Sequence, residues 1–181
     1  FKQIKEYAKA GGNIFGICGG LQILGLTLED PHNLESDSEV NSFSSKGMEL
    51  LPIKTVFSKR KCTSQKEIII LWPEKLKVEG FEMHHGISNL DHKIPNINQL
   101  FVEDSMGWVL NKKDNSFIGG TYLHGLFENS TWRGHWLNKI RKQKGLKKLI
   151  IEKDNNKKKK EEMLDLLTDN FEKNINLDCV I

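Results

Sequence analysis

The sequence predicts an α/β fold in which an open, mostly parallel sheet is flanked by helices and the second half of the chain is rich in β-strands. Two observations predict it. A helical pattern, a short apolar run and a second helical pattern follow one another within residues 1–25, an order typical of a parallel sheet with functional groups at the carboxyl ends of its strands. Strand-like patterns then recur between residues 47 and 123. We predict one domain, 1–181, without internal repeats.

The first three elements are short and lie close together. Apolar residues at helical spacing predict a helix over residues 1–10, which ends at a pair of glycines. Residues 13–18 are an apolar run and predict a buried strand, and residues 19–25 predict the first turns of the next helix. The first helix begins without a cap or a methionine, so we expect the domain to be truncated at its N-terminus.

The middle of the chain is predicted to be mainly β-structure. Residues 29–46 are rich in Asp, Asn, Ser and Glu and predict a surface loop. Five later segments are apolar or alternate between apolar and polar residues, which predicts strands. They cover residues 47–57 with a break at Pro52, 66–72, 75–84, 100–110 and 116–123. The last two are expected to pair as a hairpin with its turn at residues 112–115.

Two helices are predicted towards the C-terminus. Residues 129–144 have helical spacing and end at Gly145, and residues 161–175 form a final amphipathic helix after a lysine run at 157–160 that breaks the pattern. Residues 139–160 carry 11 Lys and Arg against 2 Asp and Glu. We interpret this segment as a solvated helix and loop, with a surface facing a polyanionic substrate or a neighbouring domain as the alternative.

Composition argues against several classes of protein. The formal net charge is only +3, which is low for a dedicated nucleic-acid-binding protein. No stretch is as long and apolar as a membrane span, and no signal peptide opens the chain. The three cysteines fit neither a disulfide framework nor a zinc-binding pattern. We therefore expect a cytoplasmic protein without nucleic-acid or membrane partners.

Residues 16–22, with the sequence GICGGLQ, place a cysteine on a sharp turn between a strand and a helix. This is the pattern of a nucleophile elbow, in which glycines on both sides are expected because the backbone is crowded. The helix N-terminus is expected to favour the thiolate of Cys18. We predict that Cys18 is a catalytic nucleophile and that the backbone N–H of Gly19 donates to the oxyanion of a tetrahedral intermediate. Cys62 and Cys179 lack flanking glycines and are interpreted as incidental.

His124 is the predicted general base. It follows an apolar run and precedes a glycine, and the end of a strand in an open α/β sheet lies on the edge that carries Cys18. His84 and His85 also follow a predicted strand, either as a hydrogen-bonded loop pair or as part of a site. A metal site that includes Glu82 lacks a convincingly spaced third ligand, and no metal is predicted. The other histidines and the four tryptophans are interpreted as surface and packing residues.

The pattern Gly16-x-Cys18-x-Gly20-x-Gln22 resembles the nucleophile motif of class I glutamine amidotransferase domains, which have a flavodoxin-like fold. Longer strings at residues 16–25, 80–84 and 120–127 resemble the cobyric acid synthase branch of that family, which amidates the corrin ring in cobalamin biosynthesis. The resemblance covers almost the whole chain.

The resemblance implies a glutaminase whose nucleophile is Cys18 and whose proton carrier is His124. Gln22 is implied to help hold the glutamine. The predicted substrate-binding residues are Gly19, Gln22, Glu82 and His84. The released ammonia would pass to a synthetase domain absent from this chain, where ATP and magnesium would serve the amidation of carboxylates of adenosylcobyrinic a,c-diamide. This chain itself is expected to hold no cofactor.

One position departs from the class I pattern. These domains usually carry a glutamate two residues after the histidine, where this chain has Leu126. The resemblance therefore implies a Cys–His dyad, and either Glu82 or a backbone carbonyl orients His124. Other functions stay open: the amidotransferase domain of a cobyrinic acid a,c-diamide synthase or of a cell-wall amidating complex, a cysteine-nucleophile α/β hydrolase, or a non-catalytic scaffold.

Overall fold

A computed structural model of the chain describes residues 1–35, 43–151 and 156–174. The helices are α1 (Lys2–Lys9), α2 (Gly19–Leu24), α3 (Ser130–Gln143) and α4 (Asn156–Asn174), with a 3-10 turn at Leu126–Glu128. The strands are β1 (Ile14–Ile17), β2 (Thr27–Asp30), β3 (Phe43–Lys46), β4 (Ile53–Ile70), β5 (Leu76–Leu90), β6 (Ile97–Gln99), β7 (Gly107–Asn111) and β8 (Phe117–Thr121). They form two four-stranded sheets, in the orders β1-β8-β7-β6 and β3-β2-β4-β5.

Both sheets are mixed. The pairs β1–β8 and β2–β4 are parallel, and the other neighbouring strands are antiparallel. The mixed α/β class is confirmed, whereas a mostly parallel open sheet is not confirmed by the described residues. The reason lies in the connections, because strands that follow one another through short turns, as β4–β5 and β6–β7–β8 do, pair antiparallel.

The core lies on both faces of the first sheet, whose strand β8 is buried along its whole length. On one face, α1 and α2 pack through Ala8, Leu21 and Leu24 against Trp108 and Tyr122. On the other face, α3 and the end of the β4–β5 hairpin around its turn (residues 68–78) contribute to a cluster rich in aromatic rings. That cluster includes Ile70, Trp72, Val109, Phe117, Leu123 and Trp132, with Phe15, Phe127 and Trp136 packed against it. The tryptophans are therefore packing residues, as predicted.

The local patterns near both ends of the chain are largely confirmed. The predicted helices over 1–10, 19–25 and 129–144 are α1, α2 and α3, and the predicted strand over 13–18 is β1. The segment 116–123 contains β8, which pairs with β7 as the expected hairpin. The same hairpin shows where the prediction was too long, because residues 100–106 belong to no strand and separate β6 from β7, with Phe101 forming only an isolated bridge to Ile70.

The loop predicted over residues 29–46 is wrong at both ends. The strand β2 runs to Asp30, and β3 begins at residue 43; residues 36–42 lie outside the described residues. Asp30 is buried, and its carboxylate accepts the backbone N–H groups of Leu34 and Glu35 at 2.9 and 2.8 Å. A polar pattern is a poor guide here because β3 is an edge strand, where exposed polar residues are normal.

The β4–β5 hairpin is much longer than predicted. The strand β4 is continuous from Ile53 to Ile70, across the polar residues 58–65 that were left without a strand, and β5 extends beyond the predicted end at residue 84. The polar stretch stays extended because residues 62–65 pair with β5, whereas residues 58–61 lie in the register shift between Phe57 and Cys62. Residues 47–52, predicted as strand, precede β4 without regular structure.

The helix α4 also begins earlier than predicted. Its backbone is helical from Asn156, so the lysine run at 157–160 does not break the helix, since lysine is a good helix former. Residues 144–150 of the basic segment are exposed, in agreement with a solvated surface. Within the described ranges, none of the helices is apolar over a length that could cross a membrane.

Candidate active site

Cys18 occupies a strained turn between β1 and α2. Its backbone has φ 53° and ψ −112°, a combination that non-glycine residues rarely adopt. Such strain is typical of functional positions, and a nucleophile elbow uses it to lift the side chain away from the backbone. The predicted strand–elbow–helix is thus present, with Cys18 at the N-terminal end of α2.

Only one of the elbow glycines is required by close packing. A Cβ on Gly16 would lie 2.5 Å from the carbonyl oxygen of Gly20, so this position admits no side chain without movement of the helix. A Cβ on Gly19 or Gly20 would meet no atom within 4 Å among residues 1–35, 43–151 and 156–174. The expected crowding on both sides of the cysteine is therefore wrong on the helix side, where the space is open.

The surroundings of the Cys18 sulfur favour the thiol. Burial raises the pKa of Cys18, a hydrogen bond from the Gly19 N–H lowers it, and the charge of Glu35 raises it again, with a raised pKa as the result. The sulfur lies 3.8 Å from the carbonyl oxygen of Met83 on β5, to which a thiol donates. The Gly19 N–H at the start of α2 favours the thiolate, as expected, but α2 has only six residues and burial outweighs this one contact.

His124 lies just beyond the end of β8, the parallel neighbour of β1. Ile17 pairs with Thr121, and the Cys18 N–H donates to the Thr121 carbonyl at 2.8 Å, so the two predicted catalytic residues follow adjacent strand ends. The Nε2 atom of His124 is buried and has no hydrogen-bond partner within the described part of the chain. Buried polar atoms without a partner are rare and call for an explanation, which keeps His124 a candidate for the predicted base.

The strand β5 crosses both strand ends and holds His124 in place. Phe81 and His124 exchange backbone hydrogen bonds of 3.1 and 2.8 Å, and their rings stack with centroids 5.0 Å apart. A Cβ on Gly80 would overlap with the His124 carbonyl oxygen, so this glycine permits the close approach of the two backbones. Sequence reasoning missed Phe81, although it lies in the string 80–84, because only the bridge between distant segments reveals its contact.

Glu82 and His84 point inward from β5. The buried Glu82 has one carboxylate oxygen 3.2 Å from His84 Nε2 and the other 3.4 Å from Lys66 Nζ. His84 Nδ1 is 2.7 Å from the Gly86 carbonyl oxygen. The described contacts of Glu82 are thus with His84 and Lys66 rather than with His124. Glu82 and a backbone carbonyl are the two candidates for orienting His124. Among the described residues neither forms a hydrogen bond with the His124 side chain, whose ring instead stacks on Phe81.

Gln22 belongs to a buried chain of hydrogen bonds. Gln22 is only 6% exposed, and its side-chain amide donates a hydrogen bond to the Tyr122 hydroxyl at 3.3 Å. The same hydroxyl lies 2.6 Å from Ser88 Oγ, which lies 2.7 Å from Thr55 Oγ1. Burial raises the pKa of Tyr122, which keeps the phenol neutral. Tyr122 also stacks on His84, with ring centroids 3.9 Å apart, and was likewise missed from sequence.

Comparison with known proteins gives a consistent result. A family model described as the CobB/CobQ-like glutamine amidotransferase domain matches residues 1–132. A protein of Prochlorococcus marinus strain NATL1A named cobyric acid synthase is 61% identical over 180 residues, which are 99% of this chain and 36% of that protein. Proteins of the same name are 45% identical in P. marinus strain MIT 9313 (97% of this chain, 35% of that protein) and 40% identical in Synechococcus sp. strain CC9311 (97% and 35%). The chain spans about a third of the length of these curated relatives.

Proposed function

Because the chain belongs to the CobB/CobQ-like glutamine amidotransferase family, we propose that it hydrolyses glutamine with Cys18 as the nucleophile and supplies the ammonia to a cobyric acid synthase. The observation that carries the proposal is the strained backbone of Cys18 at the end of β1, beside the end of β8 that leads to His124. The open space beside Gly19 and Gly20 supports the approach of a substrate to the sulfur.

The proposed mechanism follows from the state of the thiol. Since the pKa of Cys18 is raised, the resting sulfur keeps its proton, and His124 removes that proton as the sulfur attacks the side-chain amide carbon of glutamine. The Gly19 N–H, which contacts the sulfur at rest, turns to the oxyanion of the tetrahedral intermediate. His124 then protonates the leaving nitrogen, ammonia departs, and water hydrolyses the γ-glutamyl thioester to glutamate.

Gln22, Glu82 and His84 are proposed to shape the glutamine site. Gln22 is held rigidly because its amide is bonded to Tyr122, and a fixed amide is a good partner for the polar ends of an amino acid. Glu82 and His84 lie on the strand that also supplies the Met83 carbonyl at the sulfur. Glutamine is the substrate that the family implies, and the set of residues that contact it is our proposal.

The role in a larger enzyme rests on the named relatives. The chain spans about a third of their length, so the ATP-dependent step would take place in sequence outside this chain. We propose that ammonia released here amidates carboxylates of adenosylcobyrinic a,c-diamide there, with ATP and magnesium bound in that part. Residues 1–181 contain no glycine-rich phosphate loop, which agrees with this division.

The rival functions are less well supported. A cobyrinic acid a,c-diamide synthase or a cell-wall amidating complex uses the same glutaminase chemistry, but the relatives above carry the name cobyric acid synthase. A cysteine-nucleophile hydrolase of the α/β-hydrolase type is disfavoured by the family match over residues 1–132. A cytoplasmic location is proposed because both described cysteines, Cys18 and Cys62, are free thiols.

The parallel, flavodoxin-like sheet is also a proposal. Among the described residues β1 pairs with β8 alone, so its other edge carries unpaired backbone groups. We propose that further parallel strands of the longer polypeptide pair with this edge. Amide exchange at residues 14–17 tests it: the exchange should be slower in the longer polypeptide than in the 181-residue chain, and equal rates would contradict the proposal.

Labelling with a diazo-ketone analogue of glutamine tests the nucleophile. We expect one adduct on Cys18, mapped by mass spectrometry and blocked by excess glutamine. Cys62 is a matched internal control, because it is also a free thiol whose pKa is raised by burial. Labelling of both cysteines alike, or labelling that glutamine does not block, would contradict the proposed glutaminase.

The second experiment tests the link to amidation and uses the full-length synthase. Cys18→Ala should abolish amidation of adenosylcobyrinic a,c-diamide with glutamine and leave amidation with ammonia intact. If this corrin is not amidated with either nitrogen source, whereas the a,c-unamidated precursor is, the alternative diamide synthase is the correct function. Loss of both activities in a folded variant would contradict a separate glutaminase site.

A further inference from the structure

Three side chains with metal-binding atoms meet on the inward face of the β4–β5 hairpin. They are Cys62, Glu82 and His84, and their ligand atoms all lie within 4.8 Å of one another. Cys62 is directly opposite His84 in the antiparallel register, and Glu82 precedes His84 by two residues on the same face. The third ligand that sequence spacing did not provide thus comes from the opposite strand.

The geometry of His84 is compatible with metal binding. Its Nδ1 is 2.7 Å from the Gly86 carbonyl oxygen, which accepts the ring N–H, and its Nε2 forms a hydrogen bond or ion pair with the Glu82 carboxylate that a bound cation would replace. Metal-binding histidines are commonly fixed by such a bond from their second nitrogen. Two ligands about 2.0–2.1 Å from one tetrahedral zinc ion lie about 3.3–3.4 Å apart. The observed distance from His84 Nε2 to the Glu82 carboxylate oxygen is 3.2 Å.

The charges around the cluster also suit a divalent cation. Lys66 contacts the second oxygen of Glu82 at 3.4 Å and is paired with Glu103 at 2.8 Å, so the first oxygen of Glu82 is left for His84 and Cys62. The charge of Arg60 also acts on Cys62, so two cationic side chains balance the two carboxylates around the cluster. A bound divalent cation would be compensated by its own ligands, the Glu82 carboxylate and a Cys62 thiolate.

We propose that Cys62 Sγ, Glu82 Oε1 and His84 Nε2 bind a zinc-type divalent cation, with a fourth position open to water. On binding, the thiol releases its proton to solvent and the sulfur–metal bond forms in its place. Sulfur and imidazole ligands select zinc or cobalt over magnesium and calcium, which prefer oxygen. Glu82 and His84 are also proposed above to shape the glutamine site, so the cation would lie beside that site, but the described hydrogen bonds and ion pairs of the three ligands include neither Cys18 nor His124. The test below therefore measures metal binding and not glutamine hydrolysis.

Cobalt(II) is the probe, because a cobalt–thiolate bond has a charge-transfer absorption in the near ultraviolet. The parent protein carries Cys18→Ser and Cys179→Ser, so that Cys62 is its only thiol and the proposed nucleophile is absent. We expect one equivalent of cobalt to produce the charge-transfer band and to release one proton, and zinc to displace it. Cys62→Ser should abolish the band, and His84→Gln should weaken binding at least tenfold.

His85→Gln is the matched control. His85 is the next residue, its ring nitrogen lies 3.1 Å from the Ser58 carbonyl oxygen, and it points to the opposite face of the strand. The His85→Gln variant should bind cobalt as tightly as the parent protein does. Circular dichroism before the titration establishes whether each variant is folded. A variant that does not fold is replaced by the full-length synthase with the same substitutions. Absence of the band in the folded parent, or equal weakening by His84→Gln and His85→Gln, would overturn the proposal.

Discussion

Phe81 and His124 face each other across an antiparallel bridge between β5 and the end of β8. Backbone hydrogen bonds of 3.1 and 2.8 Å join them, and their rings are nearly parallel, 9° apart, with centroids 5.0 Å apart. Since His124 Nε2 has no hydrogen-bond partner within the described residues, the orientation of the imidazole depends on this stack. We therefore expect Phe81 to position the proposed base.

Phe81→Leu should lower kcat for glutamine hydrolysis about three- to tenfold, because an aromatic pair contributes about 0.5–1.5 kcal/mol beyond simple burial. The backbone bridge to His124 does not need the ring, so KM for glutamine should change little. Steady-state kinetics of glutamate release measures both constants. Ile87→Ala, an exposed apolar residue of the same strand, is the control and should leave kcat within about twofold. An equal effect of the two variants would contradict the positioning role.

Tyr122→Phe should destabilise the protein by about 1–3 kcal/mol, because the Gln22 amide and the Ser88 hydroxyl each lose a buried partner. Under the proposed function KM for glutamine should also rise, since Gln22 is then free to move. Urea unfolding and steady-state kinetics measure the two effects.

Tyr7→Phe is the control for this substitution. Tyr7 is the other tyrosine of the chain, and it is exposed on α1. The free energy of unfolding of the Tyr7→Phe variant should stay within about 0.5 kcal/mol of that of the parent protein. If Tyr122→Phe is equally harmless, the hydrogen-bonded chain does not stabilise this site.

The features that sequence reasoning predicted are local ones. Residues 16–22 are read from adjacent positions, and the place of His124 follows from the end of an apolar strand. The contacts of Phe81 and Cys62 were missed because they arise between segments that are far apart in sequence. Phe81 meets His124 through an isolated bridge, and Cys62 meets His84 through the register of a long hairpin. Local patterns carry no information about such a register.

The strand boundaries failed for a related reason. Of the polar residues 58–65, only 62–65 pair with β5, and residues 58–61 lie in the register shift between the two paired parts of β4. The parallel order expected from residues 1–25 does not extend to the hairpins that follow. Tertiary pairing outweighs the intrinsic preferences of polar residues for loops. At Cys18 the motif predicts the N–H contact that lowers the pKa, but the burial of the sulfur, which raises the pKa and outweighs that contact, is invisible in the motif.

The raised pKa of Cys18 predicts a pH dependence for its alkylation. The thiolate is the reactive form, and it becomes the major form only above a pKa that lies higher than that of an ordinary thiol, about 8.5. The rate of alkylation by iodoacetamide should therefore still rise between pH 7 and pH 9. The measurement uses Cys62→Ser/Cys179→Ser protein, in which Cys18 is the only thiol. A rate already constant at pH 7 would show that the thiolate is stable there.

Glu35→Gln should move this alkylation profile to lower pH, because the charge of Glu35 contributes to the raised pKa. The shift should be small, since Glu35 is exposed to solvent and its interaction is screened. Glu29→Gln is the control, because Glu29 is not among the groups that raise the pKa of Cys18. A shift to higher pH, or the same shift in both variants, would contradict the electrostatic explanation.

The two elbow glycines at positions 16 and 20 should respond in opposite ways to alanine. Gly16→Ala places a methyl group against the Gly20 carbonyl, so β1 and α2 must separate, at a cost of about 1–3 kcal/mol in the free energy of unfolding. Gly20→Ala meets no atom within 4 Å and lies in the first turn of α2, where alanine stabilises a helix by about 0.4–1 kcal/mol relative to glycine. Urea unfolding of both variants beside the parent protein measures the difference. Similar losses of unfolding free energy in both variants would mean that the space beside the helix is closed. That result would contradict the proposed approach of glutamine to Cys18.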